Sequence, residues 1–203
     1  MTTEEQYNEI FNLAKNEITD YNLRNAVLLS LFEYKQRFFN AIGGEGHHKY
    51  KGGLVEHTYS VLSLANMIAD KYGDAISRSI LTAAATWHDF GKILTADNEM
   101  YNNIIGHIQG SIMIATEYML KEHVKEDLQT EVISAILFHG TGFHEQECRT
   151  SPSTIEAIIL HHCDTIDAFT SHYKQNSPTT KPGEAFSDKS YNNRVIYKSN
   201  YCK

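Results

Sequence analysis

The sequence predicts an all-α protein, and three observations carry that reading. Apolar residues recur every three to four positions through most of the chain, alternation with period two is scarce, and capping residues stand where the periodic runs begin. With 203 residues the chain is long enough for one sizeable core. Hydrophobic residues at 41% and charged residues at 21% fit a globular protein and exclude a disordered or fibrous one.

Thr2 and Glu5 make a capping box ahead of Tyr7, Ile10, Phe11, Ala14 and Ile18, which share one helical face. A second helix carries Leu23, Val27, Leu31, Tyr34 and Phe38. The stretch IGGEGHHKYKGG then places five glycines in twelve residues, which marks a loop. The helical period returns with Leu54, Val61, Leu62, Ala65, Ile68 and Ala69. A helix over about 76–90 stops at Gly91, a C-terminal cap. A polar loop runs to about 103, and helices follow at about 106–121, 126–139 and 153–171, the last after Pro152. The expected division is N-terminal helices over 1–40, one helical bundle over 41–172 and an irregular tail over 173–203.

Charge and cysteine usage narrow the function. A net charge of -7 does not suit a protein that grips long nucleic acid through a basic surface, so phosphate recognition has to be local and could use a metal ion. Cys148, Cys163 and Cys202 fit neither a zinc-finger spacing nor a disulfide framework. A cytoplasmic setting is expected. The N-terminus MTTEEQYNEI is polar and acidic, unlike a signal peptide, and no apolar run approaches the roughly 18 residues that span a bilayer.

The polar residues on apolar faces are the informative ones. His57 leads Val61, Leu64 and Ile68, and His88 follows Ile80, Leu81 and Ala84. His107 shares a face with Ser111, Ile114 and Tyr118. His139 ends the series Leu128, Val132, Ala135, Ile136, and Asp164 lies with Ala157, Leu160 and Ala168. A single histidine on an apolar face is ordinarily a hydrogen-bonded core residue. Five helices that each place such a group inward point instead to a divalent cation, because burying these groups without compensation costs several kcal/mol. Imidazole with carboxylate suits Zn, Fe, Mn, Co or Ni. His88 and Asp89 project about 100° apart at a helix end, so both can reach one ion, and Asp89 can bridge to a second.

The order His57, His88–Asp89, Asp164 on separate helices resembles the HD superfamily of metal-dependent phosphohydrolases. The stretches HHKYKGGLVEHT, WHDFGKI, GHIQG and EAIILHHCDTIDA are similar to the HD domain of YhaM-type 3′–5′ exoribonucleases, as is the tail PGEAFSDKSYNNRVIYK. The resemblance implies that His57, His88, Asp89 and Asp164 hold a metal, with His107 and His139 serving a second ion or the phosphate. It also implies that Asp89 and Lys92 are catalytic, with Lys92 offsetting charge on the transferring phosphoryl group. One of His47 and His48 is expected at the substrate. His48, Tyr50, Arg149 and His161 are the substrate-binding candidates, and Asp167 reads as structural, with a place behind a metal ligand as the alternative. Relatives often carry two histidines before the glycine at 140, whereas Phe138 stands first here. Relatives of the exoribonuclease type also carry an N-terminal OB-fold, whereas about forty residues precede the match here and read as helices.

The expected activity is hydrolysis of P–O bonds in nucleotides or short single-stranded oligonucleotides, by water activated at a divalent metal ion (Mn, Fe, Zn, Ni, Co or Mg), 3′–5′ exonucleolysis included. The alternatives are hydrolysis of nucleoside mono- or triphosphates or cyclic nucleotides, and a non-catalytic nucleotide-binding sensor. No membrane partner is expected, and the helical surface would allow a homo-oligomer.

Overall fold

The computed structural model describes residues 1–95, 99–140, 154–187 and 195–201. Its helices are α1 (Thr3–Glu17), α2 (Tyr21–Asn40), α3 (Gly53–Tyr72), α4 (Arg78–Trp87), α5 (Lys92–Thr95), α6 (Glu99–Ile104), α7 (His107–Lys121), α8 (Glu126–Phe138) and α9 (Ile155–Asn176). A small antiparallel pair, β1 (Ala185–Ser187) and β2 (Val195–Tyr197), follows, with Phe186 opposite Ile196. The all-α class holds.

The helix starts are set by side chains that satisfy free backbone N–H groups. Glu5 N–H donates to Thr2 Oγ1 at 3.2 Å, and Thr2 N–H donates to Glu5 Oε2 at 2.7 Å, completing the capping box. Leu23 N–H donates to Asp20 Oδ1 at 2.8 Å, and Ala157 N–H donates to Thr154 Oγ1 at 3.2 Å.

Helix α4 is the axis of the bundle. Every residue from Ile80 to Trp87 is buried, as a helix apolar on all sides requires, and α1, α2, α3, α8 and α9 pack around it. The alanines at 83, 84 and 85 let those neighbours come close. The two N-terminal helices share this core. Trp87 Nε1 donates to Ser30 Oγ of α2 at 2.9 Å, and the Phe90 ring meets Phe38 edge-on at 5.1 Å and Tyr34 at 6.0 Å. No described helix is long and apolar enough to cross a membrane.

Helix α4 ends at Trp87, earlier than the expected 90. From His88 to Gly91 the chain tightens into turns, with Phe90 N–H bonded to Trp87 O at 3.0 Å and Lys92 N–H to Asp89 O at 3.0 Å. Gly91 presses on the start of α7: an added Cβ would lie 2.0 Å from His107 O, and Gly91 N–H donates to Ser111 Oγ at 2.7 Å. Only a residue without a side chain permits that approach. The stretch expected to be loop up to 103 contains α5 and α6. The expected last helix runs on to Asn176, because Ser171 and His172 still bury side chains in its final turns. The tail is not wholly irregular: Phe186 of β1 stacks near His172 at 6.3 Å and Tyr173 at 6.0 Å of α9. Three-residue strands are too short to show a period in the sequence.

Candidate metal centre

The ends of α4 and α8, the middle of α9, and the first turns of α3 and α7 meet in one place. Donor atoms of His57, His88, Asp89 and Asp164 all lie within 4.8 Å of one another, and so do those of Asp89, His107 and His139. Asp89 joins the two groups through different oxygens. Its Oδ2 is 3.2 Å from His57 Nε2 and 3.6 Å from His88 Nε2, and its Oδ1 is 3.4 Å from His107 Nε2 and 3.6 Å from His139 Nε2. Asp164 Oδ1 completes the first group, 3.2 Å from His57 Nε2.

The opposite nitrogen of each buried ring is already committed. His57 Nδ1 donates to Asp167 Oδ2 at 2.7 Å, His88 Nδ1 to Ala85 O at 2.8 Å and His139 Nδ1 to Ile136 O at 2.5 Å. In the neutral rings, therefore, the inward Nε2 atoms carry lone pairs. His57 Nε2 and His88 Nε2 face each other at 3.1 Å beside two carboxylates, a gathering of acceptors that calls for a positive charge between them. A mixed imidazole–carboxylate set of this kind fits a divalent cation.

The electrostatics agree. Burial pushes the His88 ring's pKa down to about 3, so it is neutral and ready to ligate. At His57 burial also favours the neutral ring, but hydrogen bonds to Asp164, Asp167 and Asp89 outweigh it and raise the pKa well above the usual histidine value. Burial opposes ionisation of Asp164, yet the bond to His57 prevails and lowers it to about 2. Asp89 is likewise held well below the carboxylate range against its burial, chiefly by Lys92. A proton on His57 and a cation thus compete for one nest of negative charge.

Lys92 Nζ lies 2.5 Å from Asp89 Oδ2 and also donates to the Gly43 carbonyl, tying the glycine-rich loop to the carboxylate. These groups open on a cleft of about 810 Å³, whose lining includes His47, Asp89, Lys92, His107, His139 and Asp164.

A family model described as the HD domain matches residues 54–168. The chain belongs to the HD domain family. The chain is also similar to curated relatives named 3′-5′ exoribonuclease YhaM. That of Listeria innocua is 30% identical over 199 residues, covering 90% of this chain and 62% of the relative. That of Geobacillus is 28% identical over 199 residues, covering 90% and 60%, and that of Bacillus subtilis is 31% identical over 169 residues, covering 78% and 52%. The chain spans less than two thirds of the length of these relatives. No solved structure gives a significant match.

Within this HD domain the six expected metal ligands and Lys92 come together. Of the substrate candidates, the three among the described residues lie outside the cleft lining. His48 is buried behind the cleft: Nε2 lies 2.9 Å from Asp167 Oδ2 and Nδ1 lies 3.0 Å from Tyr50 OH. Its backbone takes a left-handed φ of 48°, and the neighbouring His47, not His48, lines the cleft. Tyr50 is exposed and donates to Glu56 Oε2 at 2.8 Å, outside the cleft lining. His161 Nδ1 donates to His139 O at 2.6 Å, bracing the end of α8 rather than lining the cleft. Arg149 lies outside the described residues. Phe138 belongs to the buried core.

Asp167 is the residue the sequence reading undervalued. One buried oxygen serves both His57 and His48. Its position one turn after Asp164 on the same helix face was the available signal.

Proposed function

We propose that this HD domain hydrolyses phosphodiester bonds of short single-stranded oligonucleotides, acting from the 3′ end, with a divalent metal ion at His57, His88, Asp89 and Asp164. The observation that carries the reading is the convergence of two imidazoles and two carboxylates beside a lysine at the wall of one cleft. The names of the similar relatives supply the substrate class.

A bound divalent cation there lowers the pKa of water and offsets charge on a phosphoryl oxygen. The protein's part is orientation and charge. His57 and His88 are fixed by their Nδ1 bonds, so their lone pairs point inward without rearrangement. Asp89 divides its oxygens between the two groups and can serve both. Lys92, itself a cation, offsets negative charge that grows on the phosphoryl group. Water attacks phosphorus directly, the P–O bond to the leaving oxygen breaks, and the proton the water gives up ends on that oxygen, with no covalent bond to the chain.

The test is a 5′-labelled single-stranded RNA incubated with the protein and Mn²⁺, beside a His88→Ala control. A ladder shortening from the 3′ end, absent in the control, is expected. RNA left intact while mononucleotides or cyclic nucleotides are hydrolysed would replace this reading with that of a small-nucleotide hydrolase. No hydrolysis of any phosphoester would leave a nucleotide-binding sensor.

A further inference from the structure

The glycine-rich loop before α3 presents two adjacent histidines in opposite ways. His48 turns into the protein and has both ring nitrogens engaged, by Tyr50 and Asp167. His47 lies on the wall of the cleft, and its buried Nε2 has no hydrogen-bond partner among the described residues. A buried polar atom left without a partner demands an explanation, and the usual ones are structural strain or a ligand.

The ring's seat argues against an accidental placement. It packs 5.0 Å from the His57 ring and 5.8 Å from His48, centroid to centroid. On its other side it lies over Gly44, where an added Cβ would come within 2.9 Å of Cε1. The chain therefore keeps room for this imidazole at the cleft wall. The loop beneath it is pinned twice, by Lys92 Nζ on Gly43 O and by His172, whose Nδ1 lies 3.1 Å from Gly46 O.

The role of metal ligand does not fit. His47 belongs to none of the three groups whose donor atoms lie within 4.8 Å of one another, although its neighbours His48 and His57 do. A group beside the metal donors but apart from them addresses what the metal holds. The non-bridging oxygens of a phosphodiester carry lone pairs and no proton near neutral pH, so the matching partner is an N–H.

We infer that His47 is a substrate contact of this site, donating a hydrogen bond from Nε2 to a phosphoryl oxygen of the bound phosphoester. The inference rests on the phosphoester reading above and adds the residue that receives the phosphate on the loop side of the cleft. Lys92, tied to the same loop through Gly43 O, offers the phosphate a charge, whereas His47 contributes direction, because an imidazole N–H lies in a fixed plane.

The experiment uses the full chain loaded with Mn²⁺ and freed of excess ion, titrated with inorganic phosphate. Wild type, His47→Ala and His47→Gln are compared, and bound Mn²⁺ is measured in each. Weakening of phosphate binding by about tenfold is expected in His47→Ala, the size of a lost hydrogen bond to a charged partner. His47→Gln, whose amide can donate, should recover part of it, and Mn²⁺ content should match wild type in both. Equal phosphate affinity in all three proteins would overturn the inference. So would loss of Mn²⁺ in both variants, which would make His47 a support of the metal. A wild-type protein that binds no phosphate would overturn it as well. Because binding is read without turnover, failure of the hydrolase reading shows separately, as wild-type protein that binds phosphate and cleaves no phosphoester.

Discussion

Asp167 Oδ2 lies 2.7 Å from His57 Nδ1, and the same oxygen lies 2.9 Å from His48 Nε2. One carboxylate thus sets the tautomer of a proposed metal ligand and anchors the loop in front of it. Burial works against the charge on Asp167, but the bonds to His48 and His57 hold its pKa below the carboxylate range.

Removing that charge while keeping the shape should loosen the metal. In Asp167→Asn the affinity for Mn²⁺ is expected to fall about 10- to 100-fold, as for other partners behind a histidine ligand. Calorimetric titration of the chelator-treated protein checks it, and an unchanged affinity with an intact helical spectrum would make Asp167 a packing residue only.

Substitution at Asp89 should act on both groups of donors at once. Asp89→Ala removes an oxygen from each and leaves Lys92 without its carboxylate. Loss of Mn²⁺ binding and of hydrolysis together is expected. Metal analysis beside the RNA assay decides it, and a variant that keeps full activity would remove Asp89 from the mechanism.

Gly91→Ala should destabilise the fold by about 3 kcal/mol, as overpacking at a rigid contact does. The added methyl would meet backbone, His107 O at 2.0 Å and Ser111 N at 2.4 Å, and backbone cannot swing aside as a side chain can. Urea unfolding measures this, and a change under about 0.5 kcal/mol, the range of ordinary surface substitutions, would contradict the close approach.

Acid should weaken the metal-free protein, and the sign follows from the buried neutral ring. Burial lowers the pKa of His88 to about 3, while an unfolded histidine titrates at 6.5. Between those values the unfolded chain binds the extra proton, so stability present above pH 6.5 is lost as pH falls toward 3. The slope per ring is about 1.4 kcal/mol per pH unit. His57, with its pKa raised, is protonated in both states below pH 6.5 and adds no slope there. Melting in the presence of a chelator should show a midpoint that drops from pH 6.5 to 5, less steeply in His88→Asn. A flat profile would mean that His88 is not held neutral.

The helices and the inward histidines and aspartates were readable from residue order because both depend on local rules. Helical periodicity placed Ile80, Leu81 and Ala84 on an inward face, and such faces carried His57, His88, His107, His139 and Asp164 with them. Loop residues have no such rule. His47 and His48 are neighbours of the same type, and only the left-handed backbone at His48, with Asp167 arriving from a helix 119 residues later, separates the one buried from the one at the cleft. The same holds for the early end of α4, which is decided by contact with α7.

By itself, then, the sequence determined an all-α chain whose apolar faces carry a set of histidines and aspartates, because periodic burial is written residue by residue. Tertiary structure alone decided which oxygen of Asp89 serves which group, that Asp167 stands behind His57, and which loop histidine meets the cleft. Those are distances between segments far apart in the chain, and they come into being only when the helices pack.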